Sequence, residues 1–208
     1  MMTVADPSAN PISDRRPVPT RTVGIALACS APIWAISVAA FGDHEGFGAA
    51  SMFAGVAALA FQLSVLGLLS VQMRTQAMGE GRVAEAGYRA EFLLIGGALV
   101  STILDMFWLI HESVVWMIFD ICWPLSMLGM AIIGIRVAIA GRWTGGLRWQ
   151  ALFAQSWLVW ALPLGAIPGV GLWGAVAQTI LGYGGLGVLL ARTQAFGGQK
   201  PVSHNPLS

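Results

Sequence analysis

The chain has 208 residues, of which 10% are charged and 56% apolar, with a net charge of +1 and two cysteines. Soluble domains carry roughly 25% charged residues, so too few charges are present to cover a water-facing globule, and lipid is the implied solvent. No basic patch with interleaved aromatics appears, which argues against a nucleic-acid partner, and six spans of about twenty residues would leave no room for a separate soluble domain.

Residues 1–21 carry four prolines among polar residues and no apolar periodicity, and they are expected to form a disordered cytoplasmic tail. The first predicted span, 22–41, contains Pro32, which frees the carbonyl of Ala28 and predicts a kink. It is longer than a signal-peptide core and is read as a retained helix. Span two, 49–71, sets Ala50, Ala54 and Ala58 four residues apart, a smooth face for close helix approach. Gln62 extends that face, and its amide is expected to bond to a neighbouring helix, because a lone amide facing lipid is costly.

The stretch 74–90 reads as a solvated, partly helical connection, with Glu91 at the N-terminus of the third span, 92–110. A short turn around His111, Glu112 and Ser113 joins this to the fourth span, 114–138, as a tight antiparallel hairpin. The fifth, 150–167, carries Pro163, and the sixth, 170–191, holds Gly182, Gly184, Gly185 and Gly187, a sign of close packing. A loose tail, 193–208, follows. The tryptophans fall near the two interfaces, except Trp34, Trp123, Trp157 and Trp160, which lie deeper and read as packing residues. Cys29 and Cys122 lie within apolar segments without redox or metal spacing.

The eleven basic residues divide among the N-terminal tail, the connections between spans two and three and between four and five, and the C-terminal tail. The alternate connections have none. Because cytoplasmic loops retain Lys and Arg, the pattern predicts an all-α polytopic bundle (residues 22–192) of six transmembrane helices in the plasma membrane, both termini cytoplasmic.

Asp105 and Asp120 are the carboxylates well inside these spans. They lie equally far from the turn's centre between Glu112 and Ser113, which at 1.5 Å per residue places both roughly 11 Å below the outer turn. Two such acids facing each other would share a proton or hold a cation, since both cannot ionise cheaply in low dielectric. Pro124 leaves the Asp120 carbonyl without an N–H partner. Ser101 and Thr102 continue a polar stripe with Asp105, Gln178 is expected at similar depth, and His111 and Glu112 are candidates for an outer mouth.

No Lys lies in a span to carry a Schiff base, and no mid-span His pair, Walker A loop, H-E-x-x-H motif or G-x-S-x-G turn is present. These gaps argue against an enzyme and implicate no cofactor. The expected activity is proton- or cation-linked transport or sensing of a small solute through the acidic pair. Two other readings stand beside it: a non-catalytic scaffold or subunit that packs with a membrane-protein partner or a second copy, and a membrane-embedded enzyme using the pair as acid and base.

Overall fold

The computed structural model describes residues 19–42, 46–110, 113–167 and 169–193, and among them regular structure is entirely helical. The elements are α1 (Thr20–Phe41), α2 (Ala49–Arg74), α3 (Arg82–Met106), α4 (Val114–Asp120), α5 (Cys122–Ala140), α6 (Gly145–Gln155), α7 (Trp157–Gly165), α8 (Gly171–Thr179), a π-helical turn (Ile180–Gly184) and α9 (Gly185–Arg192).

Three interruptions divide what would otherwise be longer rods. Between α4 and α5 stands Ile121 alone, at the point where Pro124 has no N–H to offer the Asp120 carbonyl. Between α6 and α7 stands Ser156, at φ −83° and ψ 20°. The π turn widens the last rod, and the Gln150 amide on α6 donates to two of its carbonyls, Leu181 at 2.6 Å and Gly182 at 2.9 Å.

Four helical stretches, Thr20–Phe41, Ala49–Arg74, Val114–Ala140 and Gly171–Arg192, are long and apolar enough to cross a membrane, which fits a multi-pass membrane protein. The α3 helix carries Arg82, Glu85, Arg89, Glu91 and Asp105, while α6 and α7 are each too short to cross alone. Large apolar side chains lie on the outside as well as in the core, and several polar ones are buried. Ile36, Leu63, Ile132, Ile139 and Leu181 face outward, whereas Ser30, Ser64, Gln62, Gln72, Glu91 and Gln155 are buried. Lipid accepts the first group, and internal hydrogen bonds must satisfy the second.

Those bonds knit neighbouring rods. Ser30 on α1 donates to Ser64 on α2 at 3.0 Å, and the Gln62 amide on α2 donates to Thr102 Oγ1 on α3 at 2.8 Å, the cross-helix bond expected of it. Gln155 Nε2 on α6 donates to Gln72 Oε1 on α2 at 3.0 Å. Truncating one member of this pair to Leu leaves the other amide buried and unpaired, a cost of about 1–3 kcal/mol. The double variant Gln72→Leu/Gln155→Leu is expected to recover most of that loss, and a double-mutant cycle of unfolding free energies in detergent checks it.

At one end of the bundle the connections before α3 and before α6 are tied together. Arg142 pairs with Glu80 at 2.8 Å, and the Trp143 indole, buried rather than in an interfacial belt, donates to Thr75 Oγ1 at 3.1 Å. On the flank, α1 and α9 run antiparallel with almost no side chain between them. A Cβ on Gly24 would strike the Ala191 backbone, and one on Gly187 the Ala28 backbone.

The largest departure from expectation is α3. It begins at Arg82, well before position 92, so Glu91 lies inside the helix rather than at its N-terminus. The buried residues Ala84, Tyr88, Glu91, Ile95, Ala98 and Thr102 recur every three or four positions, so a single inward face runs through the charged segment into the apolar one.

Candidate functional site

The acidic hairpin is built on α3 and α4. Ser113 caps α4 by accepting the Trp116 N–H at 3.2 Å. Across the hairpin, the Trp116 indole donates to Asp105 Oδ1 at 2.6 Å, and Ser101 donates to Asp120 Oδ1 at 3.3 Å. These rungs, 105 with 116 and 101 with 120, share one antiparallel register. Each acid thus faces a neutral donor on the opposite helix, and the acids occupy successive rungs about 6 Å apart along the axis. The half-buried hairpin closes through Trp108 and Ile110, both at positive φ (54° and 45°), a strained conformation for non-glycine residues.

Other predicted candidates fall elsewhere. Thr102, one residue from Ser101, turns to Gln62 on α2 and donates to the Ala98 carbonyl at 2.9 Å. Gln178 on α8 donates to the Phe153 carbonyl on α6 at 2.8 Å, which directs it away from the hairpin. His111 and Glu112 lie outside the described residues. Among the described residues no three His, Cys, Asp or Glu side chains gather to hold a metal.

Deeper in the bundle is a cavity of about 60 Å³. Each rod contributes to it from near its middle: Trp34 on α1; Ala58, Phe61, Gln62 and Val65 on α2; Ile95 and Ala98 on α3; Trp123, Ser126, Met127 and Met130 on α5; Gln155 and Trp157 at the α6–α7 break; and Tyr183 in the π turn. The rings lock one another. Trp34 stacks on Phe61 with centroids 4.7 Å apart, Phe61 meets the edge of Tyr183 at 5.1 Å, and Trp123 bridges Trp34 at 5.7 Å to Trp157 at 6.4 Å.

Three polar atoms on cavity-lining residues have no partner in the protein: Gln62 Oε1, Gln155 Oε1 and Trp157 Nε1. Each amide spends its nitrogen on a neighbouring helix, leaving its carbonyl unused. Buried polar groups are normally hydrogen-bonded, so unpartnered atoms on three residues of one wall favour water or a ligand beside them. Two of the three rod interruptions, at Ser156 and at the π turn, border the same space, where irregular backbone at membrane depth is tolerated.

Of the four deeper tryptophans, Trp34, Trp123 and Trp157 pack against one another and make the cavity wall, whereas Trp160 is exposed on α7. Two amides within apolar segments, Gln62 and Gln155, were the available sequence signal, because each has two ends to satisfy and a helix neighbour supplies one.

Fold and site define an all-helical protein with membrane-length helices arranged around a small, chiefly apolar and aromatic cavity. No family model, curated protein or solved structure matches the chain.

Proposed function

We propose that the chain is a six-span plasma-membrane protein with both termini cytoplasmic, and that it transports or senses a small solute held in the central cavity with a proton or cation as coupled species. The observation that carries this reading is the cavity itself, a chamber at mid-depth of every rod with three unpartnered polar atoms around it. In this reading α3 and the α6–α7 pair supply the two spans beyond the four apolar ones. The arginine-bearing connections, tied by Arg142 to Glu80, face the cytoplasm. The Asp105 and Asp120 hairpin lies toward the outer face and serves the coupled ion.

The test is uptake by the full chain in lipid vesicles of radiolabelled ethylammonium, acetate and urea, with and without an imposed proton or sodium gradient. Gradient-dependent uptake of one of these above protein-free vesicles is expected, with Asp120→Asn reducing the gradient dependence at least tenfold. Uptake or saturable binding no greater than in protein-free vesicles for all three would overturn the reading. Full gradient response in both Asp105→Asn and Asp120→Asn would make the hairpin acids structural.

A further inference from the structure

No residue lining the central cavity carries a formal charge. The wall is built chiefly from the rings of Trp34, Phe61 and Trp123, the thioethers of Met127 and Met130, and the alkyl groups between them. Its polar groups are engaged or closed off. Gln62 and Gln155 donate to Thr102 and Gln72, and their carbonyl oxygens are buried beyond the reach of a water-sized group. Ser126 donates its hydroxyl to the Trp123 carbonyl at 3.0 Å. Glu91, one turn before the lining residue Ile95, packs into the notch left by Gly129 on α5, where a Cβ would sit on its Oε2, and is not part of the wall.

Such a wall discriminates between ligand classes. Leaving water costs an ion far more than a neutral molecule of the same size, and only a counter-charge or several polar ligands recover that cost. The cavity supplies neither. Ring faces attract cations, but that attraction is far smaller than the hydration an ion gives up. An uncharged molecule with alkyl groups loses little on leaving water and gains close contact with polarisable rings and sulfur. Apolar cavities take up molecules of this kind. A volume of about 60 Å³, at roughly 10–15 Å³ for each water-sized group, limits the ligand to about five heavy atoms.

We propose that the cavity holds an uncharged molecule of about this size, with preference for an apolar body, and excludes ions of the same shape. This rests on the reading of the cavity as the solute site and names the chemical class of that solute. The coupled proton or cation then stays with the hairpin acids, outside the cavity. Of the three solutes in the uptake assay, urea alone is uncharged and is the one selected.

The experiment is tryptophan fluorescence of the full chain in nanodiscs at matched ionic strength, titrated separately with tert-butanol, tert-butylammonium chloride, sodium acetate and urea. The first two share a shape and differ in charge, and Trp34, Trp123 and Trp157 line the cavity. A saturable emission change is expected with tert-butanol, at least tenfold tighter than with tert-butylammonium and absent with acetate. Urea, uncharged but without alkyl groups, is expected to bind more weakly than tert-butanol and more tightly than either ion. Ala98→Leu on α3 places an isobutyl group in the cavity wall and is expected to weaken tert-butanol binding at least tenfold. Ala58→Leu does the same from α2, which covers the case in which the Ala98 variant is poorly folded.

If tert-butylammonium or acetate binds as tightly as tert-butanol, the cavity is a solute site that does not select against charge, and this inference alone falls. Urea binding as tightly as tert-butanol would overturn the preference for an apolar body. Undiminished tert-butanol binding in a folded Ala98→Leu or Ala58→Leu variant would place the response outside the cavity and overturn the inference. If no probe produces a saturable change, the cavity reading falls with it.

Discussion

Gly187→Leu is expected to destabilise the bundle by about 3 kcal/mol or more. A Cβ at Gly187 meets the Ala28 nitrogen and the Gly24 carbonyl, and one at Gly24 meets the Ala191 nitrogen and the Gly187 carbonyl, so the atoms in the way are backbone on both helices. No rotamer change relieves such a clash. The helices must separate, and separation forfeits the close contact that drives association in lipid, where no water-exclusion term favours one apolar partner over another. The control is Gly96→Leu, at a position on α3 where a Cβ would have nothing within 4 Å; it is expected within about 0.5 kcal/mol of the parent or slightly stabilising, since Gly is a poor helix former. Gly24→Leu should lose a similar amount to Gly187→Leu, and the double variant less than the sum, because both changes break one crossing. Thermal unfolding in detergent micelles measures all four. Equal stability of Gly187→Leu and Gly96→Leu would mean that the α1–α9 contact is not what holds the first and last helices together.

The same crossing shows how much of the molecule the amino acids disclose. Glycines at 182, 184, 185 and 187 announce a close approach, but not toward which helix. For Gly187 the partners are Gly24 and Ala28 on α1, two small residues four apart, whereas Gly182 meets Ala154 on α6. The four stretches long enough to cross a membrane were legible as runs of apolar residues. The start of α3 was less legible, since Arg82, Glu85 and Arg89 lower its mean hydropathy although they occupy one outward face. Counting at helical rather than window scale places Ala84, Tyr88, Glu91 and Ile95 on the opposite face and identifies Glu91 as inward. The hairpin acids were legible by rarity, yet their rungs depend on a register that the short turn alone does not determine. The cavity was not legible, because it is defined by what the packed helices leave unfilled between side chains that read individually as ordinary core.

Phe61→Ala is the variant expected to change both stability and selectivity. Phe61 is buried, lies flat on Trp34 at an interplanar angle of 2° and takes the edge of Tyr183 at 87°, so it is the ring that fixes two others. Truncation removes both ring contacts, each worth about 0.5–1.5 kcal/mol, and opens a void beside the existing chamber. Phe→Ala in soluble cores costs about 3–5 kcal/mol. The lower end applies here, about 2–3 kcal/mol, because the unfolded chain in a bilayer keeps its apolar side chains in lipid and only packing is lost. The vacated space adjoins the cavity, so the variant should lose affinity for tert-butanol through poorer contact while gaining benzyl alcohol, whose ring replaces the missing one. The expected result is a reversal of preference of at least tenfold between these two alcohols by tryptophan fluorescence. Unchanged affinity for both alcohols would place the binding site elsewhere than against Phe61. A uniform loss for both, with a cooperative unfolding transition still present, would show that the ring orders the pocket rather than setting its size, since a disordered Trp34 and Tyr183 would penalise every ligand alike.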